Sequence, residues 1–456
     1  MSRDLEAVVW TRLNMTPIKM GRLYLTETEN RFTYDEDYLT SGLRGLGLVL
    51  SPSTYQDNTI VRKRTERFDF LPPIQGLIPP REKNNFQRNL AIKYLKSKGV
   101  SGLSGFEMDW EILKLSGHGG IGHLDVFEND DDALRWYGTP DKDGLFEISD
   151  TLSFSLKQFL TWFDEDAEAF IQLIGPTPSV GGAIPKLLLS IPDTGWDGRI
   201  GLPSKQPRSG VTDVVLKFEQ TATYPGIIEL EALTLDVHRR LGFDVPRYWT
   251  TEISGIPAIA IERFDRTEHH TPRFTETVFS IIASGNPDIP NHYEFSYDGI
   301  AKALDRPELN LVSDSQACKE HLFKRLIASF VTGNGDLHLE NLSILAKEDS
   351  LAFSPVYDPT PMRAYPIHNM MNVMPFGDYA QYIEDQDDPI NFQQALHRFA
   401  RSCGLKPGGA QALIDEVLDK TRDYAERVDA LETLPATNKE KYTAILEKMR
   451  ALLRPL

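Results

Sequence analysis

Two short stretches contain the side chains that phosphoryl transfer requires. Residues 331–345 have the sequence VTGNGDLHLENLSIL, which includes Asp336, His338 and Asn341, and a second carboxylate, Asp358, follows in VYDPT. In enzymes that transfer a phosphoryl group, one carboxylate accepts the proton of the attacking hydroxyl, while an amide oxygen and a second carboxylate hold Mg²⁺ on the nucleotide phosphates. The residue types therefore predict a phosphotransferase.

The pattern D-x-H-x-x-N fixes only three of six positions, so its context matters. Asp336 and Asn341 are five residues apart, as in the catalytic loop H-R-D-x-x-x-x-N of protein kinases. Apolar residues at helical spacing predict a helix over 314–330, and two apolar runs predict a hairpin that ends at Asp358. The alternative is a loop whose polar side chains only bond their own backbone.

Upstream segments contain the other groups that bind a nucleotide. A glycine pair at 181–182 lies between turn-rich or strand-like segments, and an apolar strand at 211–220 contains Lys217. A helix at 229–242 begins with two glutamates, and a strand at 257–266 continues into a charged segment. Backbone amides at a glycine turn can approach phosphates closely, and a strand lysine supplies a fixed positive charge. This order resembles a kinase small lobe.

A second glycine motif does not fit a phosphate loop. GHGGIG at 117–122 matches G-x-G-x-x-G, but it follows the helix-like DWEILKLS and precedes the strand-like HLDVF. The phosphate-binding fingerprint requires the opposite order, so we expect an ordinary helix-to-strand turn. Cys318 lies on the apolar face of the helix predicted over 314–330, and we expect it in the core.

Composition limits the class of protein. The chain has 456 residues, of which 41% are hydrophobic and 25% charged, and its formal net charge is −17. These values predict a globular protein of two or three domains and argue against broad binding to nucleic acid or membranes, although a local basic patch stays compatible with them. Two cysteines, no signal-like start and no long apolar run predict a cytoplasmic protein.

The N-terminal hundred residues predict a small β-rich domain. Alternating residues at 21–35 predict a hairpin, and the apolar run at 46–52 predicts a strand. Four prolines at 68–80 predict a packed loop, and a helix is expected over 81–98. Further helices are predicted over 153–173 and through most of 391–456.

The whole chain resembles the HipA-type toxin kinases, which are bacterial serine/threonine protein kinases of toxin–antitoxin modules. The resemblance rests on GRLYL at the N-terminus, PSVGGAIPK at 178–186, AIERFDR at 260–266, and TGNGDLHLENLSIL with YDPT. The second stretch is similar to the family's S-x-x-G-A-Q-x-K loop.

The resemblance implies a fold and a domain organisation. We expect an α+β protein with a two-lobed, protein-kinase-like fold related to the PI3/4 kinases. It would comprise a β-rich N-terminal subdomain at 1–130, a small lobe at 131–266 and a mainly helical lobe at 267–456.

The resemblance also assigns roles to residues. Asp336 would be the general base, His338 would lie beside the phosphates of ATP, and Asn341 with Asp358 would hold Mg²⁺. Ser179 matches the position that the family autophosphorylates to silence itself. The remaining nucleotide-binding residues would be the phosphate loop, Lys217 and an adenine-contacting hinge: Gly181, Gly182, Ala183, Ile184, Pro185, Lys186, Lys217, Glu262, Arg263 and Phe264.

Partners follow from the same resemblance. We expect a protein substrate, such as an aminoacyl-tRNA synthetase or another translation component, and an antitoxin of the helix-turn-helix HipB type. Contact with DNA would be only through the antitoxin, and no membrane would be involved. Three departures from the family pattern are Ile184 in place of glutamine, the Pro185 that follows it, and Glu340 where lysine is common.

Two alternatives remain open at this point. NGDLHLEN is also close to the H-G-D-L-H-x-x-N loop of aminoglycoside and choline kinases, although Asn334 replaces their histidine. The other alternative is a nucleotide-binding interaction protein without kinase activity. The presence of Lys217, Asp336, Asn341 and Asp358 argues against it.

Overall fold

The computed structural model describes residues 4–52, 54, 58–65, 68–82, 85–141, 144–147, 184–253, 255–379 and 389–454. Within them the chain divides into two compact units. The first comprises described residues of 1–220, 247–276 and 280–287, and the second those of 221–246, 277–279 and 288–456. The domain boundaries at 130 and 266 stay a prediction. None of the described helices is long and apolar enough to cross a membrane.

Strands and helices occur in comparable number, and the sheets are antiparallel, so the prediction of an α+β fold is confirmed. The strands are β1 Leu5–Thr11, β2 Ile18–Leu25, β3 Glu29–Tyr34, β4 Thr59–Lys63, β5 Asp125–Phe127, β6 Lys186–Pro192, β7 Val211–Phe218, β8 Tyr248–Ile253, β9 Ile256–Glu262, β10 Thr275–Thr277, β11 Ser343–Lys347 and β12 Ser350–Phe353.

The two longest described helices, Ser315–Val331 and Ala436–Leu453, belong to the second unit. The α-helices are α1 Glu36–Thr40, α2 Pro72–Gln75, α3 Phe86–Ser97, α4 Gly105–Ser116, α5 Asp130–Gly138, α6 Ile227–Arg240, α7 Val278–Gly285, α8 Tyr297–Leu304, α9 Ser315–Val331, α10 Pro389–Ser402, α11 Pro407–Lys420, α12 Tyr424–Asp429 and α13 Ala436–Leu453.

The N-terminal sheet has the strand order β4-β3-β2-β1-β5. The hairpin predicted at 21–35 is confirmed, because β2 and β3 pair from Gly21 with Tyr34 to Leu25 with Asn30. Alternate residues of these strands, such as Leu23 and Phe32, are fully buried in the core below the sheet. The alternation in the sequence therefore identified the buried face correctly.

The prediction of a strand at 46–52 is wrong, because this segment is a buried loop without regular secondary structure. The backbone groups of this loop form hydrogen bonds with side chains and not with a neighbouring strand. Tyr34 Oη accepts from Leu46 N at 2.9 Å and donates to Leu50 O at 2.5 Å, and Glu276 Oε2 accepts from Leu48 N at 2.7 Å. The apolar run indicated burial, but it gave no information about the partner of its backbone.

The second sheet of the first unit has the order β6-β7-β9-β8. The strands predicted at 211–220 and 257–266 are present as β7 and β9. Side chains of this sheet form a buried hydrophobic core, which includes Leu187, Leu189, Val214 and Leu216.

The second unit confirms the helices and the hairpin that were predicted around residues 331–345. Helix α9 is capped by Asp314, whose Oδ1 accepts from Ala317 N at 2.9 Å. Strands β11 and β12 pair from Ile344 with Phe353 to Lys347 with Ser350. The helix predicted over 153–173 lies outside the described residues.

Candidate functional site

The loop that contains the predicted catalytic residues begins where α9 ends. Two glycines, Gly333 and Gly335, have positive φ angles of 58° and 66°. This conformation favours glycine because it has no Cβ. An added Cβ on Gly335 would lie 2.8 Å from Met370 O, so the backbone also leaves no room for a side chain there.

A fully buried asparagine between these glycines organises the loop. Asn334 Oδ1 accepts from Asp336 N at 2.8 Å, and Asn334 Nδ2 lies 3.4 Å from Asp358 O. Its own backbone oxygen accepts from Met362 N at 3.1 Å. Asn334 thus connects the two segments in which the sequence placed the carboxylates. In the sequence, Asn334 is distinguished only by replacing the histidine of the aminoglycoside and choline kinase loop, and no motif assigns a role to it.

The structure brings together Asp336, His338 and Asn341. Asn341 Nδ2 donates to Asp336 O at 2.8 Å, and His338 N donates to the same oxygen at 2.9 Å. His338 Nε2 lies 3.9 Å from Asp336 Oδ2. The Asp336 side chain is 34% exposed, so a substrate hydroxyl can reach its carboxylate. The His338 ring is buried, and its Nδ1 accepts from Glu340 N at 3.2 Å.

Asp358 follows the hairpin, as the sequence predicted, and its backbone has a φ of 47°. Non-glycine residues adopt this region rarely, and such residues often lie at functional sites. The neighbouring Tyr357 Oη donates to Glu340 O at 2.6 Å and lies 2.7 Å from Ser343 Oγ. Tyr357 therefore joins the segment of Asp358 to the end of the catalytic loop. Burial raises the pKa of its phenol, which stays protonated and able to donate.

Two further tyrosines fix the backbone of the loop. Tyr297 Oη donates to Leu337 O at 2.6 Å, and Tyr442 Oη donates to Thr332 O at 2.5 Å. Burial raises the pKa of both phenols well above the ordinary value, so both remain donors at neutral pH. Both helices that contain them come from outside the motif, which explains why the sequence pattern did not reveal them.

His292 lies against the catalytic loop, although it belongs to no motif of the sequence. Its ring centroid is 4.4 Å from that of His338, and its Nδ1 is 3.4 Å from Glu340 Oε2. Burial lowers the pKa of His292 to about 4, so the ring is neutral at pH 7. Glu340, the departure from the family pattern, thus faces a neutral imidazole.

The residues present fit a magnesium site in their chemistry. Mg²⁺ prefers oxygen ligands, and carboxylate and amide oxygens are its usual protein donors. The amide nitrogen of Asn341 is already used in the bond to Asp336 O, which leaves its oxygen as the ligand atom. Asp358 would add a carboxylate oxygen from the segment that Asn334 holds in place.

In the first unit, the structure places Lys186 and Lys217 directly opposite each other on β6 and β7. Both are only 3% exposed. Cross-strand partners have Cβ atoms about 5 Å apart and leave the sheet on the same face. Lys186 is the first residue of a strand, and the buried Ile184 and Pro185 lead into it.

The predicted hinge residues lie at the end of β9. Glu262 N donates to Arg247 O and Arg263 N donates to Asp213 O, each at 2.9 Å. The Glu262 carboxylate forms two hydrogen bonds with the Arg247 guanidinium, at 2.8 and 2.9 Å. These N–H groups are therefore bonded within the protein.

The glycine turn at 117–122 has a structural role that the sequence did not reveal. It connects α4 to β5, as expected, and its carbonyl groups bind two arginines of the AIERFDR motif. Arg263 donates to Gly120 O at 2.5 Å, and Arg266 donates to Gly122 O at 2.8 Å. Burial would raise the pKa of Asp265, but the two guanidinium groups outweigh it and hold the pKa at about 2. The motif thus joins two parts of the first unit.

Four of the predicted site residues lie outside the described part of the chain. They are Ser179, Gly181, Gly182 and Ala183. Their assignment rests on the sequence.

This α+β fold with a D-x-H-x-x-N loop agrees with a family comparison. Residues 178–425 match the model of the HipA-like C-terminal domain. The match covers more than half of the chain, and this protein therefore belongs to the HipA-like family.

Among its relatives are two proteins that bear kinase names. A Haemophilus influenzae protein named "Putative kinase" is 28% identical over 251 residues, covering 52% of this chain and 66% of the relative. The "Putative kinase Y4dM" of Sinorhizobium fredii is 28% identical over 265 residues, covering 53% of this chain and 54% of the relative. This chain thus spans between about half and two thirds of the length of these relatives.

A solved structure has a similar fold over nearly the full length. It is HipA of Shewanella oneidensis MR-1, determined in complex with HipB and operator DNA, with a TM-score of 0.60 and 15% identity. The match covers 98% of this chain and 96% of that chain. At this identity the similarity concerns the fold, and it supports the antiparallel α+β architecture described above.

Proposed function

We propose that this protein is a kinase that transfers the γ-phosphate of ATP to a serine or threonine of a protein substrate. The observation that supports this most strongly is the loop in which Asn334 connects Asp336 to the segment of Asp358, while Asn341 bonds Asp336 O. In this proposal the two segments would supply a carboxylate for proton transfer and two oxygen ligands for a divalent cation, and they belong to a HipA-like chain.

Each residue has a distinct task in this proposal. Asp336 accepts the proton of the substrate hydroxyl, and Asn341 and Asp358 would hold Mg²⁺. When bound, the cation neutralises charge on the phosphates. Phosphate groups would be bound by His338, Lys217 and the loop at 181–186. Residues 262–264 would contact adenine.

Asp336→Asn tests the general base. An amide cannot accept the proton, so transfer should fall by about 10²–10⁴-fold while ATP binding remains. Radiolabel transfer to protein and calorimetry of ATP binding measure the two quantities. Asp349→Asn, in the exposed turn of the hairpin, is the control. Full transfer by the Asp336 variant would exclude it as the base. Labelling of an aminoglycoside or choline in place of protein would favour the small-molecule alternative.

We further propose that the protein is the toxin of a toxin–antitoxin pair and acts in the cytoplasm. Its structural relative from Shewanella oneidensis was solved with HipB and operator DNA, and a helix-turn-helix antitoxin would be the corresponding partner here. Its substrate would be a translation component such as an aminoacyl-tRNA synthetase. Induced expression should arrest growth, and Asp358→Ala should relieve the arrest. Unchanged growth with the unmodified chain would contradict the toxin assignment.

Ser179 is the proposed site of autophosphorylation. A phosphoserine adds a charge of about −1.5 to −2, which would repel a nucleotide from the loop at 181–186. Mass spectrometry of active protein should find phosphate on Ser179, and the Asp336→Asn variant should lack it. Phosphate only at other positions would contradict self-silencing through this serine.

The proposal extends to the architecture. The fold would be two-lobed and related to the PI3/4 kinases, with an N-terminal subdomain at 1–130, a small lobe at 131–266 and a helical lobe at 267–456. Limited proteolysis followed by mass spectrometry would locate the boundaries. Cleavage within β7 or β9 would contradict the assigned small lobe.

A further inference from the structure

Three side chains with metal-binding chemistry meet beside the catalytic loop. His292, His338 and Glu340 each place one possible ligand atom within 4.8 Å of the other two. All three belong to the second unit. Two imidazoles and a carboxylate form a donor set that suits Zn²⁺ and similar ions. By contrast, Mg²⁺ prefers a shell made only of oxygen atoms.

The spacing of His292 and Glu340 fits a bound ion better than a direct hydrogen bond. His292 Nδ1 lies 3.4 Å from Glu340 Oε2, whereas N–H···O bonds are about 2.7–3.2 Å long. With zinc bonds of about 2.1 Å, two ligands of a tetrahedral ion are about 3.4 Å apart. This pair therefore already has the separation of two coordinating atoms.

The backbone that presents these side chains is fixed by hydrogen bonds. Leu339 N donates to His292 O at 3.2 Å, which attaches the His292 segment to the turn between His338 and Glu340. Asn291 Oδ1 accepts from Tyr293 N at 2.8 Å on the other side of His292. These bonds hold the backbone on both sides of the three side chains.

We propose that His292, His338 and Glu340 form a binding site for Zn²⁺ or a chemically similar divalent ion, separate from the Mg²⁺ pair Asn341 and Asp358. Three protein ligands leave a fourth position for water. An ion bound to His338 Nδ1 would occupy the lone pair that accepts from Glu340 N. An ion bound to Nε2 would leave the proton of the neutral ring on Nδ1, which then cannot accept. In both cases the hydrogen bond from Glu340 N is lost.

The bound ion should inhibit phosphoryl transfer, because it withdraws the imidazole of His338 from the phosphates. This consequence rests on the proposed kinase function, whereas binding of the ion does not. The Glu340 carboxylate supplies the negative charge that attracts the cation, and a lysine in its place would repel it.

Metal binding is tested on the full chain after chelation and dialysis. Co²⁺ titration followed by absorption, and Zn²⁺ titration followed by calorimetry, should give one ion per chain even in excess Mg²⁺. His292→Ala and Glu340→Gln should each weaken binding at least tenfold. His269→Ala is the matched control, since His269 lies 3.5 Å from Glu268 in an exposed pair that belongs to no three-ligand group among the described residues. No saturable binding, or equal binding by the His292 variant, would overturn the site.

The activity assay separates the two proposals. Zn²⁺ should reduce phosphoryl transfer by the unmodified chain, and His292→Ala should be less sensitive in proportion to its weaker binding. Binding of Zn²⁺ without inhibition would overturn the inhibitory role. Binding by a chain that transfers no phosphate under any condition would leave the metal site intact and contradict the kinase function.

Discussion

The candidate catalytic loop depends on single residues that its motif does not include. Asp336, His338 and Asn341 follow from the sequence pattern, because their spacing matches a known catalytic loop. Asn334, Tyr297 and the remaining positioning groups could not be predicted in this way. Their roles arise from hydrogen bonds to backbone atoms, such as Tyr297 Oη to Leu337 O, and any residue type can supply a backbone acceptor.

Asn334→Ala tests the positioning role. The substitution removes the acceptor of Asp336 N, and the loss of a part-buried hydrogen bond of this kind costs about 0.5–1.5 kcal/mol. We expect kcat for phosphoryl transfer to fall by at least tenfold, with little change in ATP affinity. Asn129→Ala is the control, because it removes a similar bond to Asp132 N at an exposed helix start. A normal kcat in a folded Asn334 variant would show that the bond is dispensable.

Glu276 gives the stability of the protein a pH dependence. Burial raises its pKa from 4.5 to about 7, although bonds from Leu48 N and Ser280 Oγ oppose the shift. The folded state binds the Glu276 proton more tightly than the unfolded state does. Protonation of Glu276 therefore contributes to the free energy of unfolding, and this contribution is complete below pH 4.5. It is lost as the pH rises to about 7.

Glu276→Gln should remove this decrease in unfolding free energy at high pH, because glutamine resembles the protonated form of glutamate. The variant should equal the original chain in unfolding free energy near pH 4.5. Near pH 8 it should exceed the original by on the order of 3 kcal/mol, the equivalent of the pKa shift. Urea unfolding over this range measures both. Glu308→Gln, on an exposed turn, should leave the pH profile unchanged. Parallel profiles for Glu276→Gln and the original chain would contradict the raised pKa.

Secondary-structure elements were predictable where the pattern of apolar residues itself determined them. The hairpin β2–β3 and helix α9 have the alternation and the helical spacing that identify them, and both are present. The loop at 46–52 has the composition of a strand but no strand partner, since Tyr34 and Glu276 bond its backbone. Local sequence determines burial, whereas distant side chains determine which backbone partner is available.

The glycines of the catalytic loop act at the scale of the turn, and Gly335→Ala tests this. Alanine at φ 66° costs about 1–2 kcal/mol, and the added Cβ would also approach Met370 O at 2.8 Å. Gly242→Ala is the matched control, because Gly242 has φ 86° but nothing within 4 Å of its Cβ position. Thermal unfolding should show a clearly larger loss for Gly335→Ala, accompanied by reduced phosphoryl transfer. Equal losses for the two variants would mean that the close approach to Met370 relaxes freely.

The net charge of the whole molecule determines how it can approach nucleic acid. At −17 the chain repels a polyanion, and affinity for DNA depends mainly on cationic side chains that neutralise phosphates. The proposed antitoxin would therefore have to provide the cationic surface, and this protein would join DNA only through it.

A mobility-shift experiment with a short random-sequence duplex tests this at the whole-molecule scale. The chain alone should not retard the duplex even at low salt, where electrostatic attraction would be strongest. The proposed helix-turn-helix antitoxin should retard its own operator duplex, and this chain should shift that complex further. Salt-sensitive binding by the chain alone would reveal a basic surface that the total charge conceals, and it would contradict indirect contact with DNA.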